Sequence, residues 1–338
     1  MNRNHKLILN LQNFAVQTTT LHTTGNDLSP EMKTYYDKEL IRLAEPELVH
    51  DQFAQKKNIP ANGGKTIEFR KFDSLPKATT PLTEGVTPNG NKLNVSTVTS
   101  TVDQYGDYIT ISDLLELTAI DKVVLEALNQ LGGQAGRTLD SITRDVVNSG
   151  TNVIYAGGVT SRASLTAVAE PDLFLKAAAQ LKNFNAKKIE GSFVAIVHPF
   201  VAYDLMRDDE WIDVSKYAAG EHIFNGELGK IGGVRFVEST EAKIWNDNTC
   251  PANTDAASGY NAVFSTLVIG ADAYATTEVE GGGLQTIIKQ KGSAGTADPL
   301  DQRSSVGWKA NKTAEILVEQ YMVRVESLSS YSATTSAN

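Results

Sequence analysis

The apolar positions of this chain change their spacing several times, and each change marks an element. Val124, Ala127, Leu128, Leu131, Ala135, Leu139, Ile142 and Val146 recur at i, i+3/i+4 and i+7, the spacing of one helix face. They predict a helix of about seven turns over 121–149. Asp121 is its expected cap, and Asn148-Ser149-Gly150 ends it. Gly132, Gly133 and Gly136 lie in its middle. Each costs roughly 1 kcal/mol against alanine, so a bend or a close backbone approach is expected there. A shorter amphipathic helix is expected after Ser29-Pro30, an N-cap followed by proline at the first helical position, with Met32, Tyr35, Tyr36, Leu40 and Leu43 on one face. The polar, aperiodic residues 1–28 before it read as a mobile arm.

From Gly63 the spacing drops to about two. Thr66 to Phe72 alternates β-formers with charges, and Leu93 to Asp103 is β-prone with almost no large apolar side chain. Between them Pro76, Pro81, Gly85, Pro88 and Gly90 forbid regular structure. Residues 62–111 are therefore expected to form one long two-stranded excursion. A hairpin this polar is marginal in water by itself, so it needs a surface outside its own subunit.

The middle third alternates. Asp172–Phe184 has helical spacing, Ser192–Val197 is a continuous apolar run typical of a buried strand, and Pro199 opens a short helix through Met206. Gly232–Val237 and Phe264–Ile269 are further strands. This lobe reads as compact α+β or α/β. After residue 271 the chain is mostly β, in Gln285–Lys289, Ser305–Trp308 and Ala314–Glu326, and the Ser/Thr/Ala-rich last ten residues read as loose. No internal repeat is present.

Composition narrows the function. The chain has 338 residues, 41% hydrophobic and 21% charged, enough for a substantial core. Its formal charge of −9 argues against sequence-specific nucleic-acid binding, which calls for a basic face. A single cysteine, Cys250, excludes an intramolecular disulfide and fits a reducing cytosol. The apolar run Leu7-Ile8-Leu9 after Arg3 and Lys6 is interrupted by Asn10, Gln12 and Asn13, short of the roughly 7–15 residues of a signal-peptide core. No stretch approaches the roughly 18–20 apolar residues of a membrane span. A soluble, cytoplasmic protein that avoids membranes is expected.

Catalytic patterns are incomplete. Asn62-Gly-Gly-Lys-Thr66 resembles the end of a phosphate-binding loop. Ile59 stands where that pattern needs glycine, and a strand rather than a helix follows. His5, His22, His50, His198 and His222 show no metal-ligand spacing. His198, at a strand end before Pro199, reads as a histidine satisfied by backbone. Asp208-Asp209-Glu210 points to different faces of a helix end. Phe69-Arg70-Lys71-Phe72 suits either stacking on single strands or a protein interface. No catalytic, cofactor or metal site is expected, and no enzyme activity.

Several segments together resemble one family. They are Asn62–Phe72 with the turn region ending Pro81-Leu-Thr-Glu-Gly-Val-Thr-Pro-Asn-Gly90, Gln104-Tyr-Gly-Asp-Tyr108, Thr118-Ala-Ile-Asp121, and Gly292–Ala310 with its Trp308-centred strand. They closely resemble the major coat proteins of the coliphage N4 group of tailed viruses, from about Glu31 to about Glu326. The resemblance implies an α+β, HK97-like coat fold: arm and short helix over 1–61, extended loop over 62–111, peripheral domain with spine helix over 112–150, axial domain over 151–270, and a return to the peripheral domain over 271–338. It implies self-assembly as hexamers and pentamers into an icosahedral shell around double-stranded DNA, built in the host cytoplasm. Portal and decoration or scaffolding proteins would be further partners. Arg70, Lys71, Glu84, Asp298, Asp301, Arg303 and Trp308 are expected to form contacts or shape loops. The alternative is an encapsulin-like compartment shell with enzyme cargo.

Overall fold

The computed structural model of the protein describes residues 40, 48–72, 75–87, 89–118, 123–209, 211, 227–293 and 298–338. The helix expected after Ser29-Pro30, apart from Leu40, lies outside them, as do Asp121, Glu210, His5, His22 and His222. In chain order the elements are a 3-10 turn His50–Phe53, β1 (Gln55–Ile59), β2 (Thr66–Phe72), β3 (Val95–Thr101), β4 (Asp103–Ser112), α1 (Asp113–Thr118), α2 (Val123–Val147), β5 (Val153–Tyr155), α3 (Pro171–Asn183), β6 (Phe193–Val197) and α4 (Pro199–Met206). They continue with β7 (Glu227–Ile231), β8 (Val234–Glu238), β9 (Ile244–Trp245), β10 (Val263–Ile269), β11 (Tyr274–Val279), β12 (Gln285–Lys289), β13 (Arg303–Ile316) and β14 (Met322–Ser327).

The first layer is α2 on a five-stranded sheet. β13 is its central strand, with β4 antiparallel on one flank, β12 and β11 on the other, and β1 parallel to β11 at the edge. Leu128, Leu131, Ala135 and Leu139 of α2 are buried with Ile111, Val306, Trp308, Ala310 and Leu40. The apolar stripe read from the sequence is thus the packed face. The helix runs unbroken for 25 residues through its glycines, and Gly132 and Gly136, one turn apart, are both buried. Leu128→Asp or Leu139→Asp puts a charge at a position that is 1% or 5% exposed, a loss on the order of 3–5 kcal/mol. Both variants are expected in the insoluble fraction on expression, and soluble protein at normal yield would contradict this placement of the core.

The excursion over 62–111 is corrected. Only β2 and β3 form the two-stranded hairpin, paired from Thr66↔Thr101 to Phe72↔Val95. β4 leaves it and pairs with β13 from Asp103↔Lys312 to Ser112↔Arg303. The physical reason is its side-chain alternation. Ile111 is buried and Tyr105 packs in the α2 core, whereas β2 and β3 together bury just Phe69 among their apolar residues.

The second lobe is a sheet of order β5-β14-β10-β6-β8-β7, with β9 against β10. β6 and β10 are buried at every residue, as expected for central strands covered on both faces. One face packs α3 and α4 through Leu173, Phe174, Leu181, Val201 and Leu205. The other, with Val194, Ile196, Leu267 and Ile269, meets Val147 of α2 and Tyr274 of β11, joining the lobes through one apolar seam. The continuous strand expected over 314–326 is two strands in different sheets. β13 ends at Ile316, a 3-10 turn covers Glu319–Tyr321, and β14 pairs with β10 and β5. The last ten residues are not loose. Ala262 N donates to Ala333 O at 2.8 Å, Asn246 Nδ2 to Thr335 O at 2.7 Å, and Ile244 N to Asn338 Oδ1 at 2.9 Å. A Ser/Thr-rich segment holds itself here by main-chain and amide hydrogen bonds, which leave no apolar signature in the sequence.

Candidate assembly surfaces

Exposed apolar side chains concentrate in two places. The first is the hairpin and the connection beyond it: Phe72 is 60% exposed, Leu75 56%, Leu82 78%, Val86 62% and Leu93 62%. Residues 75–94, where described, have no regular secondary structure and no buried residue. Arg70 and Lys71 lie exposed on β2, Arg70 paired to Glu68 at 3.3 Å between two largely solvated side chains. Such a pair contributes at most about 1 kcal/mol. Glu84 is exposed in the turn closed by Val86 N to Thr83 O at 3.1 Å. The hairpin meets the body along its lower half. There Ser100 and Thr313 share a hydroxyl hydrogen bond of 2.9 Å, and Lys57 stands 5.3 Å from the Phe69 ring centre.

The second concentration is the corner formed by α1 and the turn before β13. Leu114 is 68% exposed, Leu117 79% and Leu300 75%. Lys291 and Glu116 bridge it at 2.9 Å. Asp298, 7% exposed, accepts the main-chain N–H of Arg303 at 2.8 Å and lies 3.6 Å from its guanidinium. The pair closes the turn, and Asp301 takes a left-handed φ of 52° within it. Asp298, Asp301 and Arg303 therefore come together; Arg70, Lys71 and Glu84 lie along the hairpin and its loop. Trp308 is corrected. At 4% exposure it is a core residue under α2, its indole N–H donating to Gln134 Oε1 at 3.4 Å, so it cannot present a surface. The leucines of α1 were passed over in the sequence, although Leu114, Leu115 and Leu117 crowd three apolar side chains into the short helix Asp113–Thr118.

Beneath the surfaces a buried polar cluster fixes the start of β1 to α2. His50 N and Nδ1 lie 2.7 Å and 2.6 Å from the two Asp140 carboxylate oxygens. Asp51 accepts from Thr143 Oγ1 at 2.6 Å and from Lys312 Nζ, which also donates to Leu139 O at 2.9 Å. Tyr274 donates its hydroxyl to His50 O, and burial, with Asp51 and Asp140 nearby, pushes its phenol well up. Next to Asp51 is a cavity of about 540 Å³, lined also by Gln52, Lys56, Asn58 and Glu278. Among the described residues no group of three or more His, Cys, Asp or Glu could hold a metal ion. Cys250 is 3% exposed, and burial pushes its thiol up, the opposite of an activated nucleophile. His198 caps α4, its Nδ1 accepting from Phe200 N at 3.2 Å, and burial pushes its imidazole down to about 4. Gly64, in the phosphate-loop-like segment, is a φ +92° turn before β2, with no helix behind it to aim amides at a ligand. Among the described residues no helix is long and apolar enough to cross a membrane.

Comparison with known proteins gives the class. Residues 95–320 match the phage capsid protein family. That is more than half of the chain, and the chain belongs to this family, whose members are structural rather than enzymes. The chain is similar to the major capsid protein of Pseudomonas phage KPP21, 26% identical over 214 residues, which are 54% of this chain and 54% of that one. It thus spans about half the length of the curated relative it matches. Among solved structures it is similar to the capsid of Ralstonia phage GP4, with TM-score 0.63 and 15% identity over 82% of this chain and 87% of that one. A second is the capsid of cyanophage P-SCSP1u, with TM-score 0.60 and 17% identity over 82% and 87%. The fold is the α+β, HK97-like phage capsid fold, and the comparisons favour the phage branch over the enzyme-holding compartment.

Proposed function

We propose that this chain is the major capsid protein of a tailed phage of the N4 group, tiling an icosahedral shell of hexamers and pentamers around double-stranded DNA. The observation that carries this reading is a hairpin that projects exposed Phe72, Leu75, Leu82, Val86 and Leu93 with no core of its own. Ordering such a segment costs entropy that it cannot offset alone, so the covering surface comes from a second copy. The α1 corner is the complementary surface. It joins exposed leucines to three acidic side chains (Asp113, Glu116, Asp301) against two basic, while residues 70–95 carry four basic (Arg70, Lys71, Lys77, Lys92) against two acidic. The N4 assignment rests on the segments quoted from the sequence. Charged pairs set register, and buried apolar area at roughly 25 cal/mol per Å² supplies the attraction before association costs.

On this reading the hairpin is the extended loop, and within the expected arm-and-helix segment 1–61, β1 instead joins the peripheral sheet. α2 is the spine helix of a peripheral domain whose sheet includes β4, β11, β12 and β13. The lobe from β5 to β10 is the axial domain; of the 271–338 stretch expected to return to the peripheral domain, β11, β12 and β13 do so, whereas β14 and the final segment pair into the axial lobe instead. The shell is the virion capsid, built in the host cytoplasm, with portal and decoration or scaffolding proteins as further partners. Particles isolated from infected cells and treated with nuclease test the cargo. Protected double-stranded DNA is expected; particles holding an enzyme and no nucleic acid would favour the compartment instead.

A further inference from the structure

We infer that His198 is an acid-sensitive latch that holds the C-terminal segment 329–338 onto the second lobe, and that acidification frees this segment before the lobe itself unfolds. The inference stands on geometry independent of assembly. His198 lies 7% exposed between two rings, 4.8 Å from Phe200 and 5.0 Å from Phe264. Its Nδ1 accepts the Phe200 main-chain N–H, which assigns the ring proton to Nε2. Phe200 is in turn the seat of the segment. Tyr331 stacks on it at 4.4 Å and 28°, and Ser329 Oγ donates to its carbonyl at 3.1 Å. Asp204, one turn further along α4, accepts from Ser330 N at 2.9 Å and from Ser330 Oγ. The segment then crosses to Ala262, Asn246 and the Ala242–Ile244 stretch.

A proton on Nδ1 turns the cap acceptor into a donor facing another donor. It also sets a positive charge at a helix N-terminus, where the partial charge is already positive. Both effects push the first turn of α4 away from the ring and move the stack that seats Tyr331. Burial is the cause that holds the imidazole down, and it falls to about 4 from an ordinary 6.5. A base whose proton affinity is depressed by folding stabilises the closed state fully above 6.5 and progressively less as pH falls toward 4. Among the described residues the other titratable groups near this site are Asp204 and Tyr203 on α4, Glu238 level with Val197 across the β6–β8 ladder, and Tyr331 on the segment. Burial pushes Glu238 up. β10 presents Phe264, which does not titrate. A short segment held by hydrogen bonds and one ring stack opens at lower free energy than the sheet beneath it.

Hydrogen exchange of the full-length protein between pH 7 and 4, corrected for the intrinsic pH dependence of exchange, reads the latch. Protection of 329–338 should disappear within that range while β6 and β10 stay protected. His198→Asn keeps a cap acceptor without a titrating ring and should move the loss of protection down by at least about one pH unit. Asp204→Asn, which keeps an acceptor for Ser330, should leave the dependence in place. Tyr331→Ala should free the segment already at pH 7, which keeps the inference testable if His198→Asn fails to fold. Unchanged pH dependence in His198→Asn would overturn the latch, as would loss of segment and strands at one common pH.

Discussion

Deleting residues 74–92 is expected to give a subunit that folds and is soluble but no longer closes a shell. Phe72 and Val95 are partners at the end of the β2–β3 ladder. Asp73, Leu93 and Asn94 therefore remain as a three-residue loop, a length hairpins commonly use. The deletion removes exposed Leu75, Leu82 and Val86 and touches none of the three buried clusters. Stability should change little, while the apolar area offered to a neighbour falls sharply. Limited trypsin digestion of the intact chain gives the complementary result. Lys77 and Lys92 are exposed in a segment without regular structure, so they should be cut in dissociated subunits and protected in particles. Equal cleavage in both states would mean that the hairpin does not clamp a neighbour.

Lys312→Met is expected to destabilise the subunit by about 3–5 kcal/mol, because it strands a buried carboxylate. Lys312 is 1% exposed and holds Asp51 and Leu139 O together. Asp51 sits beside the His50–Asp140 pair, so the loss propagates to the joint between β1 and α2. The double variant Asp51→Asn with Lys312→Met removes both charges and should recover a large part of the loss. The measurement is the denaturant midpoint of each variant. A single variant within 1 kcal/mol of the parent, or a double variant worse than the sum of the two singles, would show that the pair does not act as a unit.

How far the sequence could be read depended on where the stabilising energy resides. α2 was legible because its burial repeats at helical spacing through Leu128, Leu131, Ala135 and Leu139. β6 was legible because both its faces are covered and no polar residue interrupts Phe193–Val197. The polar hairpin was legible from what it lacks. β4 was misplaced because its alternation is diluted by Gly106, Asp107 and Thr110, and its partner β13 lies some two hundred residues away. Trp308 drew attention as a motif and proved to be core, since an aromatic residue in a strand carries no mark of which face it takes. Lys312 was invisible for the same reason: a lysine in an alternating strand reads as solvated until Asp51 arrives from another part of the chain. The tail was misread because its hold on Asp204, Asn246 and Ala262 is made of hydrogen bonds. Asp298, Asp301 and Arg303, read from the sequence as contact-forming or loop-shaping residues, lie together in one turn, and that turn supplies the corner proposed to receive a second copy.

Electron microscopy of the purified full-length protein tests the central claim most directly. Closed particles of uniform size with hexameric and pentameric clusters are the expected result, lost on deletion of 74–92. A protein that stays monomeric, or forms only irregular aggregates across salt and concentration, would contradict an account built on a hairpin that needs a second copy to cover it.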